Sequence, residues 1–267
     1  MPTIHNLNPT RMLKIWVIFA LLICIPGEVL AESRTKPSTI VIVHGAWGGA
    51  WQFAKIDPLL RDMGYEVHRV TLTGLGERNH LATLDTGLET HITDVINVIK
   101  FEQLHDIILI GHSYGGMVIT GVVDRMPERI AQVIYLDAML PQNGESAISL
   151  MRERGKALLD RADKGFIAPW WVRPDKSFPI DVPHPVKAFT DIISLNNSAA
   201  KSVPGAFILT VESGKEPSEN DFYFHAQRAH NRGWNVVTME GDHNPHWRQP
   251  SATVEVIKQV ISSFEKK

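Results

Sequence analysis

The segment Gly111-His112-Ser113-Tyr114-Gly115 sets a hydroxyl between two glycines, directly after the apolar run Ile107-Ile-Leu-Ile110. Gly-x-Ser-x-Gly alone is a weak signal. A strand before it and a helix rich in small residues after it (Gly115, Gly116, Gly121) make the setting of a nucleophile elbow. Such a turn projects the Ser113 hydroxyl above a sheet edge, and the amino end of the next helix favours developing negative charge. A serine is a poor nucleophile at neutral pH and needs a base within hydrogen-bonding reach. His243 follows the last strand-like segment, Val236–Met239, and is read as that base, with His246 on the same loop as runner-up. Acyl transfer also needs two N–H donors for the oxyanion, each worth roughly 3 kcal/mol. One is expected from the amide of Tyr114. The other is expected from Ala46, in the loop His44-Gly-Ala-Trp-Gly-Gly49. That loop lacks the Lys-Ser/Thr ending of a phosphate cradle.

These groups need a sheet to hold them. Thr39–Val43 is a β-branched run that reads as a strand buried on both faces. Further strands are expected at 65–70, 106–110, 132–136, 207–211 and 235–239. Helical periodicity falls between them at 51–63, 88–100 and 114–125, and again at 251–264. Strand–helix alternation of this kind predicts an α/β fold, a mostly parallel sheet with helices on both faces. Residues 138–205 break the rhythm. This stretch holds Phe166, Trp170, Trp171, Phe178 and Phe189, with prolines at 169, 174, 179, 183 and 185, and reads as a helical lid over the carboxyl edge of the sheet.

Composition excludes other classes. With 267 residues, 44% of them hydrophobic, the chain can bury one large core. A balance of 27 basic and 29 acidic residues gives no footprint for nucleic acid. One cysteine excludes an internal disulfide framework and any multi-thiolate metal site. No His-Glu-x-x-His is present and no histidine pairs with a second ligand at a metal spacing; the reading implies neither a metal nor an organic cofactor. Arg11 and Lys14 precede an apolar run from Ile15 to Ile25, and small residues follow to Ala31. This has the form of a secretory signal, too short to span a bilayer comfortably. The expected organisation is a signal over 1–31, with Met12 as an alternative start, and a hydrolase-like domain over 32–267. The mature protein would then be secreted or periplasmic, without a stable membrane anchor.

Beyond these motifs, the chain from about 38 to 265 resembles an α/β-hydrolase. More narrowly it is similar to the branch of plant methylesterases, hydroxynitrile lyases and related bacterial esterases. The resemblance is carried by His44-Gly-Ala with Trp47 and Trp51, Leu72-Thr-Gly-Leu-Gly76, Gly-His-Ser-Tyr-Gly-Gly116, Tyr135-Leu-Asp-Ala138 and Gly241-Asp-His243. It implies a carboxylate that orients the histidine, usually placed after the fifth strand. Here that position holds Ser213. Two substitutes stand within reach: Asp137 at the end of the fourth strand, placed first, and Glu212 beside the expected position, with Glu216 behind them.

The combined reading is a serine hydrolase that cleaves a small or medium apolar or aromatic carboxylic ester through an acyl-enzyme. Its expected partner is that small molecule. Three alternatives stand beside it: a hydroxynitrile-lyase type reaction, lactone or amide cleavage, and catalytically silent ligand binding. The resembling lyases carry a lysine after the catalytic histidine and a hydroxyl residue two positions after the histidine ending the first strand. This chain has Asn244 and Ala46 there, which favours ester cleavage.

Overall fold

All five residues of strand β1 (Thr39–Val43) are buried, as an apolar β-branched run demands when both sheet faces are covered. The computed structural model describes residues 39–264; the expected signal over 1–31 lies outside them. The other main strands are β2 (Glu66–Val70), β3 (Ile107–Ser113) and β4 (Ile130–Ala138), then β7 (Gly205–Val211) and β8 (Asn235–Glu240). Between β4 and β7 lie two short strands, β5 (Phe166–Ile167) and β6 (His184–Pro185). The six main strands form one sheet in the order β2-β1-β3-β4-β7-β8, and every neighbouring pair is parallel.

Strand periodicity divides the core. Ile40, Ile42, Ile108, Ile110, Ile134 and Leu136 project into one apolar cluster with Ile257 and Ile261. Val41, Val43, Leu109, Val133 and Tyr135 project into the other, with Ile92 and Val118. Accordingly α1 (Asp57–Asp62) and α9 (Pro250–Phe264) cover the first face, while α2 (Leu88–Phe101) and α3 (Gly115–Arg125) cover the second. The helix expected over 51–63 is divided. A 3-10 turn, Ala50–Phe53, comes first, and α1 begins afresh with Pro58 in its first turn, where a missing N–H costs nothing. Strand β3 runs three residues beyond the expected end and carries Ser113 as its last residue.

The insertion between β4 and β7 holds the expected short helices, α4 (Ala147–Leu150), α5 (Glu153–Leu159) and α6 (Val186–Thr190). The antiparallel β5–β6 pair adds a ribbon that helical periodicity does not show. Ala147, Leu158, Ile167 and Phe189 join the core on the α2–α3 face. Of the five aromatics of this stretch only Phe189 is buried; Phe166 is half-buried, and Trp170, Trp171 and Phe178 are exposed. After the insertion come α7 (Tyr223–Asn231) and α8 (Pro245–Arg248).

Helix α3 approaches the sheet as closely as backbone allows. A Cβ on Gly116 would lie 2.0 Å from the Met139 carbonyl oxygen, and one on Gly115 2.7 Å from the carbonyls of Val43 and His44. All three oxygens they would strike are main chain and cannot turn aside. Gly116→Ala is therefore expected to cost about 3 kcal/mol in urea unfolding. A variant as stable as the parent would contradict the close approach.

Candidate active site

Ser113 closes β3 at φ 54°, in the left-handed region that L residues avoid. Its neighbours make the turn possible. A Cβ on Gly111 would lie 2.6 Å from Ile119 Cδ1, and one on Gly45 2.9 Å from Ser113 Cβ. The elbow glycines thus serve close packing rather than positive φ. Asp137 also adopts a left-handed conformation, φ 44°. It is the extra residue of a β-bulge. Along β3 and β4, Leu136 pairs with His112 and Ala138 with Ser113, so Asp137 has no opposite number. Three of the seven non-glycine residues with positive φ among the described residues, Trp47, Ser113 and Asp137, sit here. Such residues cost of order 1–3 kcal/mol each and persist where the surroundings over-determine them.

The imidazole of His243 bridges the two strained residues. Ser113 Oγ stands 2.9 Å from His243 Nε2, and Asp137 Oδ2 stands 2.7 Å from Nδ1. A carboxylate only accepts, so Nδ1 carries the proton and Nε2 is free to take one from the serine hydroxyl. The Asp137 side chain is 1% exposed, and a buried carboxylate must have its lone pairs filled. The Thr210 amide and the Asn220 Nδ2–H each donate to Oδ1 at 3.2 Å. Phe222 lies flat on the His243 ring, 4.9 Å between centroids and 4° between planes. His112 Nε2–H donates to the His243 carbonyl at 2.7 Å, fixing the loop from behind.

Not every sequence candidate comes to this point. Strand β7 stops at Val211, and Glu212 begins an exposed turn with its carboxylate 2.6 Å from Lys215 Nζ, not on the imidazole. Glu216 heads the next turn, Pro217–Glu219, and its backbone N–H donates to Glu219 Oε2 at 2.7 Å. His246 is buried and stacked on Phe53 at 4.2 Å, with neither ring nitrogen bonded to a described residue. Ala46 and Tyr114 lie beside Ser113 in a cavity of about 470 Å³, whose apolar wall includes Trp47, Met139, Met151, Phe189 and Phe222. Asn220 and Phe222 escaped the sequence reading. No motif marks them, and only the turn before α7 carries them to Asp137 and His243. Among the described residues no group of three or more His, Cys, Asp or Glu is placed to hold a metal.

Among the described residues six histidines are buried: His44, His91, His112, His184, His225 and His246. Burial holds the pKa values of His44, His91 and His225 down to about 4 and that of His246 to about 3. The hydrogen bonds of His44, His91 and His225 require the neutral ring. Leu72 N–H donates to His44 Nε2 at 3.1 Å, and Leu140 N–H to His225 Nδ1 at 3.1 Å. The Thr73 carbonyl accepts from His91 Nε2–H at 3.0 Å, so the Tyr114 hydroxyl donates to Nδ1 at 2.9 Å. Burial also raises the Tyr114 pKa, so its hydroxyl stays protonated.

A family model described as "Alpha/beta hydrolase family" matches residues 40–256. Among curated relatives, the carbendazim hydrolyzing esterase of Nocardioides sp. (strain SG-4G) is 48% identical over 114 residues, 43% of this chain and 47% of that one. The putative methylesterase 13, chloroplastic, of Arabidopsis thaliana is 32% identical over 130 residues, 46% of this chain and 27% of its own. The chain thus spans about half or less of the length of these relatives. Among solved structures, an extracellular alpha/beta-hydrolase from a Paenibacillus species superposes with a TM-score of 0.71 at 22% identity, covering 84% of this chain and 99% of its own. A pyrethroid hydrolase from Sphingobium faniae JZ-2 gives 0.63 at 20% identity, with 86% and 99% covered. At these identities the structures speak to the fold.

The buried histidines set an acid limit on stability. Unfolded, each titrates near 6.5, while the folded values lie near 4 or below, so the unfolded chain binds more protons throughout that interval. The urea midpoint should be flat above pH 7 and fall as pH drops from 6.5 toward 4, starting above the carboxylate range. A midpoint unchanged between pH 7 and pH 5 would contradict these shifts.

Proposed function

This chain belongs to the alpha/beta hydrolase family, and we propose that it hydrolyses carboxylic esters through a serine acyl-enzyme. The observation that carries this reading is the continuous hydrogen-bonded line from Ser113 Oγ through His243 to buried Asp137. Ser113 attacks the ester carbonyl carbon as His243 Nε2 takes its proton. The amides of Ala46 and Tyr114 receive the negative charge on the carbonyl oxygen. The tetrahedral adduct collapses, His243 returns the proton to the leaving alcohol oxygen, and water then repeats the sequence to free the acid and Ser113. Asp137 keeps the imidazole in the tautomer whose Nε2 is bare and stabilises the imidazolium that forms.

The cavity supports a small to medium, apolar or aromatic ester. Its volume of about 470 Å³ and the apolar part of its wall, Trp47, Met139, Met151, Phe189 and Phe222, suit an uncharged acyl group, while Arg154, Glu212, Lys215, Glu216, Glu219 and Asp221 line the rest. Relatives named as a carbendazim hydrolyzing esterase and as methylesterases act in the same direction. Asn244 in place of a lysine disfavours the lyase alternative. The apolar run 15–25 and the small residues to Ala31 support export with cleavage there. Among the described residues no helix is long and apolar enough to cross a membrane.

The test is turnover of p-nitrophenyl acetate and butyrate. The wild-type chain should hydrolyse both, and Asp137→Asn should lower kcat by about 10⁴-fold with the fold intact. Glu212→Gln, which alters an exposed ion pair, should stay within about threefold of wild type. The reverse pattern would move the acid to Glu212, and no turnover by the wild type would remove the hydrolase reading. Amino-terminal sequencing of protein recovered outside the cytoplasm should begin at Glu32.

A further inference from the structure

Trp47 adjoins Ala46 and stands at φ 62°, in the left-handed region. Three bonds from elsewhere hold it. Its backbone N–H donates to His184 Nδ1 at 3.1 Å, its indole Nε1–H donates to the Ile167 carbonyl at 2.9 Å, and its carbonyl accepts from Val182 N–H at 2.8 Å. All three partners belong to the insertion between β4 and β7, in or beside the β5–β6 ribbon. The insertion therefore does more than roof the cavity. It grips the loop that carries the Ala46 amide.

His184 is the informative member of this grip. Its ring is fully buried, with Phe189 at 4.4 Å, Tyr114 at 5.1 Å, His91 at 5.8 Å and Trp47 at 6.0 Å between centroids. A backbone N–H can be accepted only by a bare ring nitrogen, so Nδ1 is unprotonated and the single ring proton sits on Nε2. That Nε2 has no partner among the described residues. An unpaired buried donor is costly, and a phenyl ring would fill this space without it. What the imidazole supplies, and a phenyl ring cannot, is the acceptor for Trp47. Burial, with His91 and His44 nearby, lowers the pKa and keeps the ring in the neutral state the bond requires.

We propose that His184 is a positioning residue for the oxyanion site: by accepting from the Trp47 N–H it fixes the peptide joining Ala46 to Trp47, and through it the direction of the Ala46 amide. The inference rests on the serine-hydrolase reading, in which that amide faces the developing oxyanion. The same bond turns the Trp47 N–H toward the insertion, leaving Ala46 and Tyr114 as the donor pair.

Three variants test it on a p-nitrophenyl ester, with thermal unfolding measured in parallel. His184→Asn keeps an acceptor oxygen where Nδ1 stands, His184→Phe keeps the ring without an acceptor, and His184→Ala removes both. In His184→Phe and His184→Ala, kcat should fall about 10- to 100-fold with KM within about threefold. His184→Asn should recover most of the lost kcat, and melting temperature should not follow kcat across the series. Wild-type kcat in His184→Phe would overturn the proposal, as would a loss in His184→Asn that matches His184→Ala and tracks its stability. Either result, with the wild type active, removes only this inference. An inactive wild type removes the hydrolase reading and the inference together.

Discussion

One imidazole spans two strand ends. His243 reaches Ser113 at the end of β3 and Asp137 at the end of β4, adjacent parallel strands, with 2.9 Å and 2.7 Å contacts. Both residues occupy left-handed backbone that an L side chain resists. The strain is tolerable because the strands behind them are buried on both faces and cannot slip. Ser113 carries its hydroxyl out of the sheet plane, and the bulge at Asp137 shifts strand parity so that its carboxylate meets the ring instead of the core. Remove either distortion and the histidine loses one partner.

The remainder of the site is rigidified by groups that avoid charge. Six buried histidines line the space behind the serine and beneath the insertion, each held neutral by burial. A neutral imidazole offers one donor and one acceptor, which suits it to joining loops that have a spare amide on one side and a spare carbonyl on the other. His44 does this between Leu72 and Gly45, His91 between Tyr114 and Thr73, and His112 anchors the His243 carbonyl. The loops that must place reacting atoms are thereby cross-linked without the desolvation cost of ions.

Much of this was legible in residue order. The β-branched runs and helical stripes specify the parallel sheet, and Gly-x-Ser-x-Gly after an apolar strand marks Ser113 because strand, turn and helix occur together. His243 follows from its place after the last strand. The acid was harder. Asp137 and Glu212 both stand where a strand gives way to a loop in the sequence, and no local pattern distinguishes a bulged residue from an ordinary one, since a bulge breaks the very period on which strand reading depends. In the structure Asp137 is buried with three donors, while Glu212 pairs with Lys215 in an exposed turn. Asn220 and Phe222 were invisible for a related reason. They meet His243 and Asp137 only after the chain has crossed from β7 to α7, and spacing carries no trace of that encounter. The insertion shows the same limit. Its aromatics suggest an apolar roof, yet Trp170 and Trp171 pack edgewise on Trp47 at the surface and Phe178 faces outward.

Reaction with a fluorophosphonate probe, with the modified peptide identified by mass spectrometry, reads the nucleophilicity of the Ser113 hydroxyl at a phosphorus centre, without any choice of ester. The wild-type chain should take up one equivalent, on the peptide containing Ser113, and His243→Ala should label at least about 100-fold more slowly as its base is lost. Adduct formation at another residue, or labelling of His243→Ala at the wild-type rate, would contradict the hydrogen-bonded line from Ser113 to Asp137 as the catalytic apparatus.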